Sequence, residues 1–347
     1  MPHLDFKYDG EYYPEDGALP DPQIDPFIPG SRVALNKVGV SGVDLPVQLK
    51  RRDGEIQTLH ARVSLYGSLD NPEAKGLNLS RFPILMTETI ANHLSIEGLK
   101  DVLVGLREKQ GSNDVYCKLA FKYPWTQEAL RTRKELPTDA DPKDIFKTVE
   151  GVNLSHDKMV GHIFYDCILE GQLHKVPKTF RKVVQSDQAS YQTPVTVEVD
   201  EFRFFLTVNY VYSSTCPCSF ELAQDATQKR GVAANGHSQR SIAKLTVQFD
   251  PDKEIVWIED VVEMARRQVP TEVVIICKRR DEQAFAELNG SNLLFTEDAA
   301  RLLYQGFDEW FKAGKISDFS IVTDHIESLH PWNATAVVSK GVAGGLR

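Results

Sequence analysis

Phe202-Arg203-Phe204-Phe205-Leu206-Thr207-Val208-Asn209-Tyr210-Val211-Tyr212 runs directly into Ser213-Ser214-Thr215-Cys216-Pro217-Cys218-Ser219. The first of these segments is dense in aromatic and β-branched side chains, which suit a pleated, half-buried surface and predict a strand. Further on, Gly236-His237-Ser238-Gln239-Arg240-Ser241 leads into Ile242-Ala243-Lys244-Leu245-Thr246-Val247-Gln248-Phe249. There apolar and polar residues alternate, as in a strand with one buried face. Two thiols and an imidazole are therefore expected on a connection between two strands, where a rigid sheet can hold reactive groups. A turn that merely contains buried thiols fits the same residues. Both readings stand at this point.

Working outward, 347 residues are enough for more than one module and a substantial core. Hydrophobic residues at 41% and charged residues at 26% are ordinary soluble globular composition. The net charge of −9 argues against nucleic acid and against a membrane surface as partners, so an anionic ligand would need a local basic patch. The five cysteines are an odd number, and no stretch reads as a secretory leader. That pattern suits a reducing, cytoplasmic setting and a metal-binding or catalytic thiol better than a disulfide framework. No apolar run approaches the length of a membrane span.

Residues 1–30 are rich in Pro, Asp, Gly and Tyr and read as an extended N-terminal arm. Strands are expected at 33–40, 45–50 and 56–65, the last two joined through an Asp53-Gly54 turn. Helices follow at 82–94 and 96–108, with Leu85, Ile90 and Leu94, then Leu99, Val102, Leu103 and Leu106, at helical spacing. Strands at 115–123 and 162–172 flank a polar excursion over 126–158. The second half repeats this order, with strands at 202–212 and 242–249, helices at 258–267 and 296–312, and strands at 318–324 and 335–340. Residues 31–185 and 186–347 thus read as two β-β-α-α-β-β modules of an α+β protein.

Several further residues have a chemical reading beside an ordinary one. Cys216, Cys218 and His237 offer soft and borderline metal donors, but a C-x-C pair with one distant His is a weak metal signature. The apolar run 273–277 reads as a buried strand ending in Lys278-Arg279-Arg280-Asp281-Glu282. Its cations and carboxylates could face an anionic substrate and a metal, or form a solvated turn. Glu297, in the first turn of the last long helix, would ordinarily only complement the helix dipole. Asp324-His325-Ile326-Glu327-Ser328-Leu329-His330 brings two histidines to a strand end, one or both of which could be structural.

In this order the landmarks resemble the type IB GTP cyclohydrolases, prokaryotic enzymes of the tunnelling fold. They are Lys37-Val38-Gly39-Val40, Leu79-Ser80-Arg81-Phe82, Cys216-Pro217-Cys218-Ser219, His237-Ser238-Gln239-Arg240-Ser241, Lys278-Arg279-Arg280-Asp281-Glu282, Phe295-Thr296-Glu297-Asp298 and Glu327-Ser328-Leu329-His330. The resemblance runs from about Val33 to Val338. It implies tandem modules whose antiparallel sheets join across subunits into a barrel, as a homotetramer with active sites at subunit junctions. It also implies conversion of GTP and water to 7,8-dihydroneopterin triphosphate and formate, the first step toward folate. By position, Cys216, His237 and Glu282 match the ligands of a divalent metal, which could be zinc, manganese or iron. Glu297 matches the glutamate that anchors the guanine edge, and Cys218 and His330 match further active-site positions. Arg81, Arg240, Lys278 and Arg279 are the cations available for the triphosphate.

The chain departs from the family where Trp332 replaces the second histidine of His-x-His and Asn78 stands in place of a histidine before Ser80-Arg81-Phe82. The stretch 219–236 also looks longer than usual. Three alternatives follow. One is a nitrile reductase of the queuosine pathway, with Cys218 as nucleophile and Asp225 downstream; another is a non-catalytic module with a structural metal. The third is a paralogue ending at a cyclic phosphate.

Overall fold

A computed structural model describes Gly10 and residues 27–89, 96–133, 158–186, 189–342 and 345–346. The stretch from Phe202 fixes the architecture. It belongs to β5 (Ala189–Thr215), which pairs antiparallel with β4 (Lys158–Ser186) on one side and β6 (Ser238–Phe249) on the other. Outward from this centre lie β3 (Val115–Arg133), β2 (Ile56–Leu69) and β1 (Leu35–Lys50), and on the other flank β7 (Asp318–His325) and β8 (Ala334–Ser339). All eight described strands form one antiparallel sheet in chain order.

Side-chain parity sorts the two faces, because neighbouring residues on a strand point to opposite sides. Val115, Cys117, Leu119, Phe121 and Tyr123 on β3, with Ala243, Leu245, Val247 and Phe249 on β6, are buried on one face. Six helices are described, and five of them pack on the sheet or on one another. They are α1 (Arg81–Thr89), α2 (Ile96–Gln110), α4 (Ile258–Gln268), α5 (Arg279–Ser291) and α6 (Thr296–Lys312). The opposite face carries Lys118, Glu170, Gln172, Thr207, Lys244 and Thr246 along a shallow groove. A sheet covered on one side and polar on the other is the antiparallel pattern.

The α+β class and antiparallel pairing agree with the sequence. The expected strands 33–40 and 45–50 are one strand, β1, with irregular register near Val40–Val43. β3 continues through 126–133, part of the stretch read as an excursion, while 134–157 lies outside the described residues, as do most of the arm and 90–94 of the first expected helix. Residues 273–277 do not form the expected strand. Only Glu272 makes an isolated bridge, to Tyr212, and Ile275 is 53% exposed. The Lys278–Glu282 run, read as a strand end or solvated turn, instead opens α5. The stretch after Cys216, read as a loop, is the sixth helix, α3 (Pro217–Arg230).

Candidate functional site

β5 ends at Thr215, directly opposite Ser238 at the start of β6. One step past that pair, the Cys216 N–H donates to the His237 carbonyl at 3.2 Å. Cys216 and His237 are therefore neighbours at the end of the sheet. Cys216 is also the N-cap of α3, and Pro217 occupies the first helical position, where its missing N–H costs nothing. The helix ends at Gly231, whose φ of 64° suits glycine. The return strand passes so close to α3 that a Cβ on Gly236 would come within 2.9 Å of the Phe220 backbone. This tight passage, with the His237 N–H donating to Ser219 Oγ at 3.1 Å, sets the imidazole beside the first turn.

Beneath the pair runs a buried polar chain. His237 Nδ1 lies 3.1 Å from Gln239 Oε1 and 3.2 Å from Ser328 Oγ. Gln239 Nε2 donates to Ser214 Oγ at 3.0 Å and to Glu327 Oε1 at 3.4 Å. Ser214 Oγ in turn meets Ser241 Oγ at 2.8 Å and His325 Nδ1 at 3.2 Å, and His325 Nε2 meets the Tyr212 hydroxyl at 3.0 Å. Burial pushes the His325 imidazole down to about 4, against the weaker opposing pull of the Glu297 and Asp324 carboxylates, so it is neutral at pH 7. Gln239 and Ser214 carry no role in the sequence reading, and Glu327 stands there only beside the two histidines of its segment. The register Ser214↔Gln239 brings the first two together, a pairing visible only once the hairpin is drawn.

The other named residues spread more widely. Cys218 is exposed in the first turn of α3. Glu282, Arg279 and Lys278 sit at the N-terminal end of α5, whereas the chain just past the other end of that helix meets Thr215, through the Leu294 N–H. Among the described residues, no three His, Cys, Asp or Glu side chains converge in a metal-binding group within one chain. Glu297 is exposed at the start of α6, in a depression shared with Arg301, Tyr304 and Val337 beside the edge strand β8. His330 is exposed on the β7–β8 connection and stacks on Trp332 with ring centroids 4.5 Å apart. Arg240 is exposed at the start of β6.

Arg81 lies at the far end of the sheet. Its guanidinium donates to the Lys109 carbonyl at the end of α2, where Arg107 pairs with Asp200 on β5. From there β5 runs unbroken to Thr215, roughly 50 Å of strand. Asp225 is seven residues beyond Cys218 on α3, roughly 10 Å along the axis, and it pairs with Lys229 at 2.5 Å.

The donor types fit a divalent metal in part. Cys216 and His237 are backbone neighbours, and the imidazole's Nδ1 is engaged, so Nε2 is the nitrogen a metal would use. A covered antiparallel sheet presenting a thiol and an imidazole at a strand connection is an α+β scaffold able to carry a site.

Comparison with known proteins narrows this. The family described as Type I GTP cyclohydrolase folE2 matches residues 21–156 and 173–336. The GTP cyclohydrolase FolE2 of Ruegeria sp. (strain TM1040) is 32% identical over 344 residues, 95% of this chain and 78% of that protein. That of Paracoccus denitrificans (strain Pd 1222) is 33% identical over 339 residues, 97% of this chain and 88% of its own. Uricase from Arthrobacter globiformis aligns at a TM-score of 0.41 and 7% identity, over 92% of this chain and 97% of that one, too slight a likeness to assign anything. The chain belongs to the type I GTP cyclohydrolase FolE2 family, and it is a hydrolase of the GTP cyclohydrolase I kind. No described helix is long and apolar enough to cross a membrane.

Proposed function

We propose that this chain is a metal-dependent GTP cyclohydrolase I of folate biosynthesis, taking GTP and water to 7,8-dihydroneopterin triphosphate and formate. Family membership over most of the chain carries this reading. Cys216, His237 and Glu282 are the proposed ligands of a divalent zinc, manganese or iron ion. Bound there, the ion would supply a water of lowered pKa for attack on the guanine imidazole ring. The chain's own groups do the rest. Glu297 accepts the N–H donors of the guanine edge, a charge-assisted pairing that rejects adenine. Cys218 and His330 stand by as proton-handling groups, with Trp332 stacked on the imidazole in the place where the family pattern has a second histidine.

The proposed working form is a cytoplasmic homo-oligomer, a tetramer on the family pattern, whose sheets join along their edges into a barrel of tandem modules. Two observations support it. Arg81 is too far from Cys216 to hold a triphosphate at the same site in one chain, so it would serve a neighbour's. Glu297 also borders β8, the open edge along which another sheet would pair. Arg240, Lys278 and Arg279 then complete the cationic patch.

Metal-loaded protein incubated with GTP should release formate and give a pterin triphosphate by mass, with no NADPH consumed in a parallel nitrile assay. Cys216→Ala and His237→Ala should lose metal and at least about 10³-fold in formate release, a loss of about 4 kcal/mol in transition-state stabilisation. A metal-replete sample that yields no formate from GTP would sink the proposal. The reductase alternative, with Cys218 and Asp225 seven residues apart on α3, is disfavoured by the family match over most of the chain.

A further inference from the structure

We propose that Gln239 is a positioning residue: its side-chain amide fixes His237 as the Nδ1–H tautomer, with Nε2 aimed at the metal, and ties Glu327 to the same imidazole. The inference rests on the proposal that His237 is a metal ligand, and it deepens that reading.

The tautomer follows from which groups can donate. Glu327 is a carboxylate and can only accept, so the amide nitrogen of Gln239, 3.4 Å away, must be the atom that faces it. The same nitrogen donates its second proton to Ser214 Oγ at 3.0 Å. Both N–H groups of the amide are then committed, and its oxygen is left facing His237 Nδ1 at 3.1 Å. An amide oxygen has no proton to give. Nδ1 must therefore be the donor, which leaves the lone pair on Nε2, the nitrogen free to bind a cation.

Burial makes Gln239 the determining partner. It is 7% exposed, and Ser214, to which it is anchored, is fully buried. An amide held on three sides has no alternative rotamer that keeps its hydrogen bonds. Ser328 also offers Nδ1 an acceptor at 3.2 Å, but it is exposed and can exchange that contact for water. Glu327 Oε2 reaches Nδ1 only at 4.0 Å. Through Gln239, however, the β7–β8 connection that bears Glu327 and His330 is coupled to the imidazole on the β5–β6 connection. An outer partner that orients a ligating histidine typically tunes metal affinity by about 10- to 100-fold.

The test uses cobalt(II) as the probe in the purified full-length protein. Cobalt affinity is measured by chelator competition, and coordination by the thiolate-to-cobalt charge-transfer and visible bands. Gln239→Met keeps the side-chain length and removes the hydrogen bonds; it should weaken cobalt binding about 10- to 100-fold and shift the visible bands. Ser328→Ala should stay within about twofold of wild type. A Gln239→Met protein that binds cobalt as tightly as wild type with an unchanged spectrum overturns the inference, as does an equal loss in Ser328→Ala. Should Gln239→Met fail to fold, nitrogen-15 NMR of histidine-labelled wild type decides. In metal-free protein the His237 signal, assigned by its absence in His237→Ala, should show the proton on Nδ1; a proton on Nε2 overturns the inference. The underlying ligand reading fails separately, when wild type shows no thiolate-to-cobalt band or His237→Ala binds cobalt as wild type does.

Discussion

Helices α3 and α5 both open with residues of the proposed site, yet they are held in contrasting ways. At the start of α5, Asp281 is fully buried and accepts hydrogen bonds from the backbone N–H of Lys278 at 2.9 Å, Arg131 at 2.6 Å and Thr132 at 2.8 Å, and from the Thr132 hydroxyl. Burial alone would raise its pKa, but these hydrogen bonds outweigh it and keep the carboxyl well below the usual range. The segment leading into α5 is clamped as well. Gln127 donates to Glu272 at 3.0 Å and to the Val273 carbonyl at 2.9 Å, and accepts from the Ile275 N–H at 2.9 Å. By contrast, α3 buries none of its residues, and Leu222 is 70% exposed. A helix of that length is marginal in water without packing. The chain finishes the surroundings of α5 by itself, whereas α3 buries no residue and is held at its first turn, where the His237 N–H meets Ser219 and the Cys216 N–H meets the His237 carbonyl.

The largest expected effect comes from undoing the tighter side. Asp281→Ala would leave three backbone N–H groups without their acceptor at a buried position. Each such loss costs about 1–3 kcal/mol, so the variant should lose at least about 3 kcal/mol. The midpoint of urea unfolding at pH 7 measures this. A midpoint within error of wild type would show that α5 is not pinned by Asp281, and the contrast with α3 would disappear.

A second change weakens the floor under α3 without touching the helix. His325 is 2% exposed and neutral, with its folded-state pKa depressed to about 4. Below the unfolded value near 6.5 the unfolded chain takes up a proton that the folded chain resists. The stabilising preference for the neutral form is therefore whole above about pH 6.5, and it declines as pH falls toward about 4. The full loss is roughly 3 kcal/mol, at about 1.4 kcal/mol per pH unit. Urea midpoints between pH 7 and pH 4 should fall more steeply for wild type than for His325→Asn. Parallel curves would place the imidazole in a wetter setting than the Tyr212–His325–Ser214 chain implies.

The same contrast explains what could be read from sequence. α6 spans Thr296–Lys312, as its periodicity predicts, because one face buries Ala299, Leu303 and Phe307 against the sheet. α3 carries no such signal: a helix that buries nothing has no apolar stripe to find, and its polar residues resemble a loop. α5 was hidden for another reason. The apolar run before it looks like a strand, but it is a segment clamped side-on by Gln127. Among the site residues, the Cys216–His237 pair was legible because both flank a hairpin. The links to Gln239 and Glu327 depend on strand register and on a β7 end 88 residues away from Gln239, which local pattern does not encode.

The smallest expected effect in the isolated chain is the one that bears most directly on assembly. Leu222→Asp changes a side chain that is 70% exposed on a helix with no buried residue. Within one chain such a surface change should alter stability by no more than about 0.5 kcal/mol. If a neighbouring copy covers α3 in the oligomer, the new carboxylate would be buried without a partner, at several kcal/mol. Sedimentation velocity should show the variant shifted to smaller species, with chemical unfolding of the smallest species close to that of wild type and formate release reduced. An unchanged assembly with full activity would mean that α3 faces solvent in the working enzyme, and that its first turn is held by the hairpin alone.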